Sequence, residues 1–133
     1  MDVDGKPIRL FPDPEAIADA DLTVIGLIRT RAATLNGIAR AVRDGAVSTE
    51  RDQPLDDFVA SWTQLRGIGD WTAHYIAMRA LSHANAFPAA DLVLRRAVAR
   101  NGEPVPLREL YAIAEAWQPW RAYAVLHLWR VAP

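Results

Sequence analysis

Gly67-Ile68-Gly69, in the stretch LRGIGDWTAHY, stands directly before a predicted helix. Glycines on either side of one apolar residue let the chain turn sharply and leave its amides uncovered, and the following helix points its positive end the same way. Such a turn suits an anion, a nucleic-acid phosphate included, which it would grip without reading sequence. The competing reading is a glycine-bearing connection in a helical bundle, and for an isolated GxG it is the stronger one. Asp91 also precedes a predicted helix, where an Asp is ordinarily an N-cap. A capping carboxylate can serve chemistry as well. Five tryptophans in a small helical chain belong mostly to the core, and Trp62, Trp117 and Trp120 are assigned there. Trp71 and Trp129 stay open between core and site. Arg95, Arg96 and Arg100 read as phosphate contacts or as a solvated helix face. His74, His83 and His127 lack the local spacing of a metal site; His74 either faces a ligand from the hairpin helix or is an ordinary surface or core histidine.

Composition narrows the chemistry. There is no cysteine, which excludes disulfides, thiolate catalysis, zinc fingers and iron–sulfur clusters within these 133 residues. Only Lys6 is a lysine, so amine chemistry has one candidate, far from the glycine turn. The formal net charge of −1 argues weakly against a nucleic-acid partner, but the charge is uneven. Residues 1–60 hold seven Lys and Arg against eleven Asp and Glu, whereas residues 61–133 hold eight against five, so the half with the turn is basic. No apolar run approaches the roughly 20 residues of a membrane-spanning helix, and MDVDGKPIRL is too polar for a signal peptide, so no membrane partner and a cytoplasmic location are expected.

The elements that must position these residues are helical throughout. Asp13 and Pro14 predict an N-cap and first turn for a short helix reaching about Ala20. Ile28, Ala32, Leu35, Ala39 and Val42 recur at helical spacing, and Asp44-Gly45 ends that pattern. A helix opened by Pro54 presents Leu55, Phe58, Val59 and Trp62 on one stripe up to the glycine turn; the next spans 70–81. A loop over 83–90 leads to a helix over 92–100 that Asn101-Gly102 terminates, followed by helices over 106–117 and 120–131. No segment shows the period-two alternation of a half-buried strand. The expected architecture is all-α, one domain of six or seven short helices.

LRGIGDWTAHYIAMRAL, followed by AFPAADLVLRRAV and AWQPWRAYAVLHLWR, resembles the 3-methyladenine DNA glycosylase II (AlkA-type) branch of the helix-hairpin-helix glycosylases. The three motifs stand in the family's order and spacing, and FPDPEAIADADLTVIGLIRTRAATLNGIARAV extends the likeness over nearly the whole chain. The resemblance implies a partial helix-hairpin-helix glycosylase domain, with the hairpin at about 54–81, a catalytic loop and helix at about 86–100, and C-terminal helices over 106–131. It places Asp91 at the family's catalytic aspartate and Trp71, Tyr75 and Trp129 at aromatic positions lining the pocket for a flipped base. Gly67, Gly69 and Thr72 fall at the hairpin's phosphate contact. Main-chain carbonyls of Thr63, Leu65 and Ile68 fall where the family's hairpin holds a cation, here expected to be monovalent, and no cofactor is implied for catalysis.

The implied activity is hydrolysis of the N-glycosidic bond of alkylated purines, of the 3-methyladenine and 7-methylguanine type, in duplex DNA. Related bifunctional enzymes keep a Schiff-base lysine two residues after the hairpin's second glycine; Trp71 stands there instead, so a monofunctional hydrolase is expected. The chain departs from the family in Arg66, where proline is usual, and in Asp70, whose charge opposes DNA at the phosphate side. The family also carries upstream helices and an N-terminal α/β domain that have no counterpart here, and these would come from a missing N-terminal region or a partner chain. The alternative reading is therefore a truncated, catalytically inactive module that binds DNA or a partner.

Overall fold

In the computed structural model, which describes Gly5 and residues 7–132, the described residues hold seven α-helices, two short 3₁₀ helices and no strand. Lys6 lies outside the described residues. Contacts divide the chain into two compact units, one ending at Ala46 and the other beginning at Val47.

The first unit packs α1 (Pro14–Ala18) on α2 (Arg29–Arg43). Asp13 caps α1 as expected, its carboxylate accepting the Ala16 N–H at 2.9 Å. The helix stops at Ala18, short of the expected Ala20, where the Asn36 amide of α2 donates to the carbonyls of Ile17 (2.6 Å) and Ala20 (3.1 Å). A 3₁₀ turn over Leu22–Ile25 was not expected; the Asp21 side chain accepts the Thr23 N–H at 3.0 Å and starts it. Gly26 closes it at a φ of 89°, in the left-handed region that favours glycine. The residues α2 buries are alanines, Ala32, Ala39 and Ala41, so the expected stripe is corrected: Ile28 and Leu35 are exposed, together with Leu10, Phe11, Val24 and Ile25.

The second unit carries every candidate site residue. Its first two helices, α3 (Leu55–Trp62) and α4 (Asp70–Arg79), pack against each other with Ile68 buried in the turn that joins them. Phe58 and Trp62 stack at 5.0 Å, and the Trp62 indole donates to the Ser48 carbonyl at 3.2 Å, which satisfies a buried N–H. The two glycines of the turn differ. Gly67 sits at a φ of 90°, which an L side chain adopts only under strain, whereas Gly69 is extended at −95° and an added Cβ would meet nothing within 4 Å.

Helix α4 ends at Arg79 rather than at Leu81, because Ser82 takes a positive φ of 57° and the His83 N–H turns back to the Ala77 carbonyl at 3.0 Å. Helix α5 (Leu92–Ala97) is shorter than the expected 92–100. The chain returns at Val105, whose N–H takes the Arg95 carbonyl at 3.0 Å in place of the next helical amide. Helix α6 (Leu107–Ala114) runs into a 3₁₀ turn, Glu115–Trp117, and α7 (Arg121–Val131) packs on α5. Phe58, Phe87, Leu94, Leu110 and Val125 form the centre of this unit's core. Trp120 does not join it. It is 59% exposed, edge-on to Tyr123, and stands as the residue before α7.

Candidate functional site

Asp91 is the N-cap of α5 and also the meeting point of three elements. One carboxylate oxygen, Oδ1, accepts the Leu94 N–H at 2.8 Å, which caps the helix, and the Trp129 indole N–H of α7 at 3.2 Å. The other, Oδ2, accepts the Trp71 indole N–H of α4 at 3.3 Å. The capping reading of this residue holds, and two long-range donors also keep the carboxylate at a fixed orientation. The carboxylate is half-buried and no cationic side chain bonds it among the described residues.

Trp71 and Tyr75, four residues apart, lie on one face of α4, and their rings stack at 5.0 Å and 12°. Tyr75 meets Trp129 at 6.0 Å with the rings tilted by 44°. Trp71 and Tyr75 are in direct contact, so a third ring cannot enter between them; the three aromatics form one continuous surface beside the carboxylate. All three are half-buried, which resolves Trp71 and Trp129 as neither core nor solvent residues.

The glycine turn delivers donors. Gly69 is the N-cap of α4 and no side chain caps the helix, so the amides of Gly69, Asp70, Trp71 and Thr72 have no protein acceptor among the described residues. Gly67 and Gly69 are both exposed. The first available partner inside α4 is found only by Ala73, whose N–H bonds the Gly69 carbonyl at 2.9 Å. Four uncapped amides at the positive end of a ten-residue helix are donors that an anion could accept from. Of the three carbonyls expected at a cation, that of Leu65 accepts the Ile68 N–H at 3.0 Å, and those of Thr63 and Ile68 accept no backbone amide among the described residues. Neutral oxygen donors with lone pairs to spare fit a monovalent cation. No group of His, Cys, Asp or Glu among the described residues could hold a metal ion.

The arginines sort themselves. Arg95 is not a free phosphate contact, because its Nε donates to the Val105 carbonyl at 2.7 Å and the side chain is half-buried; Arg96 and Arg100 are exposed. Sequence reasoning passed over three residues that meet at the loop before Asp91: Asn85 and Phe87 in the loop itself and Arg121 at the start of α7. Arg121 donates through Nε to Asn85 at 2.8 Å and stands 5.4 Å above the Phe87 ring. No local pattern could have marked them, since Arg121 and Asn85 are 36 residues apart.

Comparison with known proteins gives consistent relatives. No protein-family model matches the chain. A DNA-3-methyladenine glycosylase of Bacillus subtilis is 35% identical over 135 residues, covering 96% of this chain and 45% of that protein. A probable bifunctional transcriptional activator/DNA repair enzyme AlkA of Mycobacterium tuberculosis is 34% identical over 125 residues, covering 94% of this chain and 25% of that protein. Among solved structures, the Schizosaccharomyces pombe 3-methyladenine DNA glycosylase Mag1 in complex with abasic DNA superposes with a TM-score of 0.80 at 26% identity, over 90% of this chain and 63% of that one. The Archaeoglobus fulgidus 3-methyladenine DNA glycosylase follows at a TM-score of 0.72 and 31% identity, over 89% of this chain and 42% of that one. The chain therefore spans less than half the length of these two sequence relatives.

Proposed function

Because the chain belongs to the AlkA-type helix-hairpin-helix glycosylases over the portion of them that it spans, we propose that it hydrolyses the N-glycosidic bond of alkylated purines in duplex DNA. The observation that carries this reading is Asp91, fixed by two indole N–H groups at the edge of a three-ring aromatic surface. The substrate class is 3-methyladenine and 7-methylguanine, and the site of action is the compartment that holds the DNA, the cytosol or nucleoid. No helix among the described residues is long and apolar enough to cross a membrane.

The mechanism follows from charge. To reach the C1′–N bond, the damaged nucleotide rotates out of the stack, at a cost of about a few kcal/mol. Stacking on the Trp71, Tyr75 and Trp129 surface offsets this by roughly 1–3 kcal/mol per base, and a base made cationic by alkylation gains a cation–π contribution. As the glycosidic bond breaks, its electron pair passes to the base and neutralises it, while positive charge moves to the sugar. Asp91 stabilises that charge and orients a water whose oxygen bonds C1′ and whose proton leaves through the carboxylate to solvent. The amides at Gly67, Gly69 and Thr72 anchor a backbone phosphate, and the carbonyls of Thr63, Leu65 and Ile68 would hold a monovalent cation that neutralises further phosphate charge at the hairpin. Release of methylated purines from methylated duplex DNA, separated by chromatography, tests the activity. Failure to release any base above the spontaneous rate overturns it.

With Trp71 at the position where lyases keep a lysine, borohydride added during turnover should trap no covalent protein–DNA adduct; a trapped adduct would sink the monofunctional reading. The hairpin glycines should separate binding from folding. Gly69→Ala should leave the melting temperature nearly unchanged, because its backbone is ordinary and the added methyl meets nothing, yet weaken duplex DNA affinity about tenfold by standing where the phosphate approaches. Gly67→Ala should cost about 1–2 kcal/mol of stability for its left-handed backbone. Fluorescence anisotropy at low salt and thermal melts check both, and an unchanged affinity for Gly69→Ala removes the phosphate from this turn.

A further inference from the structure

Residues 82–90 carry no regular secondary structure, yet they end at Asp91, and residues 86–89 are almost fully buried. Helices α4 and α7 hold this loop by four hydrogen bonds. From α7, Ala122 donates its N–H to the Ala84 carbonyl at 2.9 Å and Arg121 donates to the Asn85 side chain at 2.8 Å. From α4, the Ala77 carbonyl accepts the His83 N–H at 3.0 Å, and His74 Nδ1 accepts the Phe87 N–H at 3.1 Å. The last bond is the nearest to Asp91 along the chain, and the only one of the four in which a titratable nitrogen is the acceptor.

We propose that His74 is a positioning residue for Asp91: its unprotonated Nδ1 fastens the Phe87 amide, and with it the end of the loop that presents the carboxylate to the aromatic surface. A buried amide without an acceptor is costly, so this bond fixes the loop rather than merely accompanying it. The acceptor role requires the neutral imidazole with its proton on Nε2, the nitrogen that faces Asp70 Oδ1 at 3.7 Å. Protonation of Nδ1 sets one N–H against another and releases the loop. Burial pushes the His74 pKa below the ordinary 6.5; Asp70 on the same helix and Asp56 on α3 oppose that shift, while Arg121 on α7 and His83 in the loop reinforce it. The neutral form is therefore the folded state's preferred form. The stability this bond contributes is complete above pH 6.5 and is lost as the pH falls through the lowered folded value.

The catalytic part of this inference rests on the proposed glycosylase reading, so the test has two readouts. Amide hydrogen exchange of the intact chain, expressed as protection factors, reads the loop; the pH profile of base release reads Asp91. In wild type, protection at Phe87 should fall about tenfold between pH 7 and a pH below the lowered His74 value, with base release falling alongside it. His74→Asn places an amide oxygen where Nδ1 stood, so both quantities should stay level across that interval. His74→Ala should lose protection at Phe87 at either pH, with the core amide of Val125 still protected as a sign that the unit is folded. Phe87 protection that is equal at those two pH values in wild type, or that survives in His74→Ala, overturns the proposal. If exchange behaves as expected and no base is released at any pH, the glycosylase reading fails while the fastening of the loop by His74 stands.

Discussion

Asp91→Asn should reduce base release from methylated duplex DNA by on the order of 10²–10³-fold while leaving the chain folded. The substitution removes the negative charge that faces the developing cation on the sugar but keeps most of the local geometry. Asn is as good an N-cap as Asp, so the Leu94 N–H retains its acceptor, and the side-chain oxygen can still receive the Trp129 indole. What it cannot keep is both indoles, since an amide NH₂ would face the Trp71 N–H now 3.3 Å from Oδ2. The cost of that unmatched donor is about 1–3 kcal/mol, small enough for the unit to stay folded if its stability lies within the usual range of roughly 5–15 kcal/mol. Single-turnover base release and a thermal melt, made on the same preparation, separate the two effects. Base release by the Asp91→Asn variant within about threefold of wild type would remove the carboxylate from the chemistry.

The largest effect on stability is expected at Phe87. Its ring is 1% exposed, meets Tyr111 at 5.7 Å and Trp117 at 6.1 Å edge-on, and lies beneath the Arg121 guanidinium at 5.4 Å. Phe87→Ala removes a buried aromatic side chain and leaves a cavity beneath the loop, at a cost of about 3–5 kcal/mol. Phe87→Leu retains much of the volume and should cost less, about 1–2 kcal/mol, chiefly through the lost aromatic and cationic contacts. Urea midpoints of the two variants give the ordering. A loss below about 1 kcal/mol for the alanine variant would show that the loop is not anchored through this ring.

The two expectations draw on different kinds of information. Asp91 was legible in the sequence, as a helix N-cap from its place before an apolar segment and as a carboxylate of interest from the motif around it. Phe87 was legible only as a residue in a loop. Much of the fold was equally local. Asp13 and Asp91 cap the helices they precede, the glycine turn lies between α3 and α4, and no strand occurs among the described residues. The errors cluster where a distant residue intervenes: α1 stops where Asn36 takes its carbonyls, and α5 stops where Val105 takes the Arg95 carbonyl. Trp120 was placed in the core on residue type alone and proves exposed, because burial depends on what packs above a ring and not on the ring itself.

The sequence by itself determined the helical class, the caps and the hairpin turn, since each of these rests on residue type and on spacings within one or two helical turns; it was the family resemblance that singled out Asp91, Trp71, Tyr75 and Trp129. Only the tertiary structure decided that Trp71 and Trp129, 20 and 38 residues from Asp91, donate to its two oxygens, and that His74 holds the loop between them. It also decided that two glycines identical in the sequence differ in conformation, one in a left-handed backbone and one extended with open space where a Cβ would stand. The physical reason is range. Propensity and capping act over three or four residues along the chain, whereas the direction of a hydrogen bond to a carboxylate is set by how α4, α5 and α7 pack, and packing joins residues that no spacing rule connects.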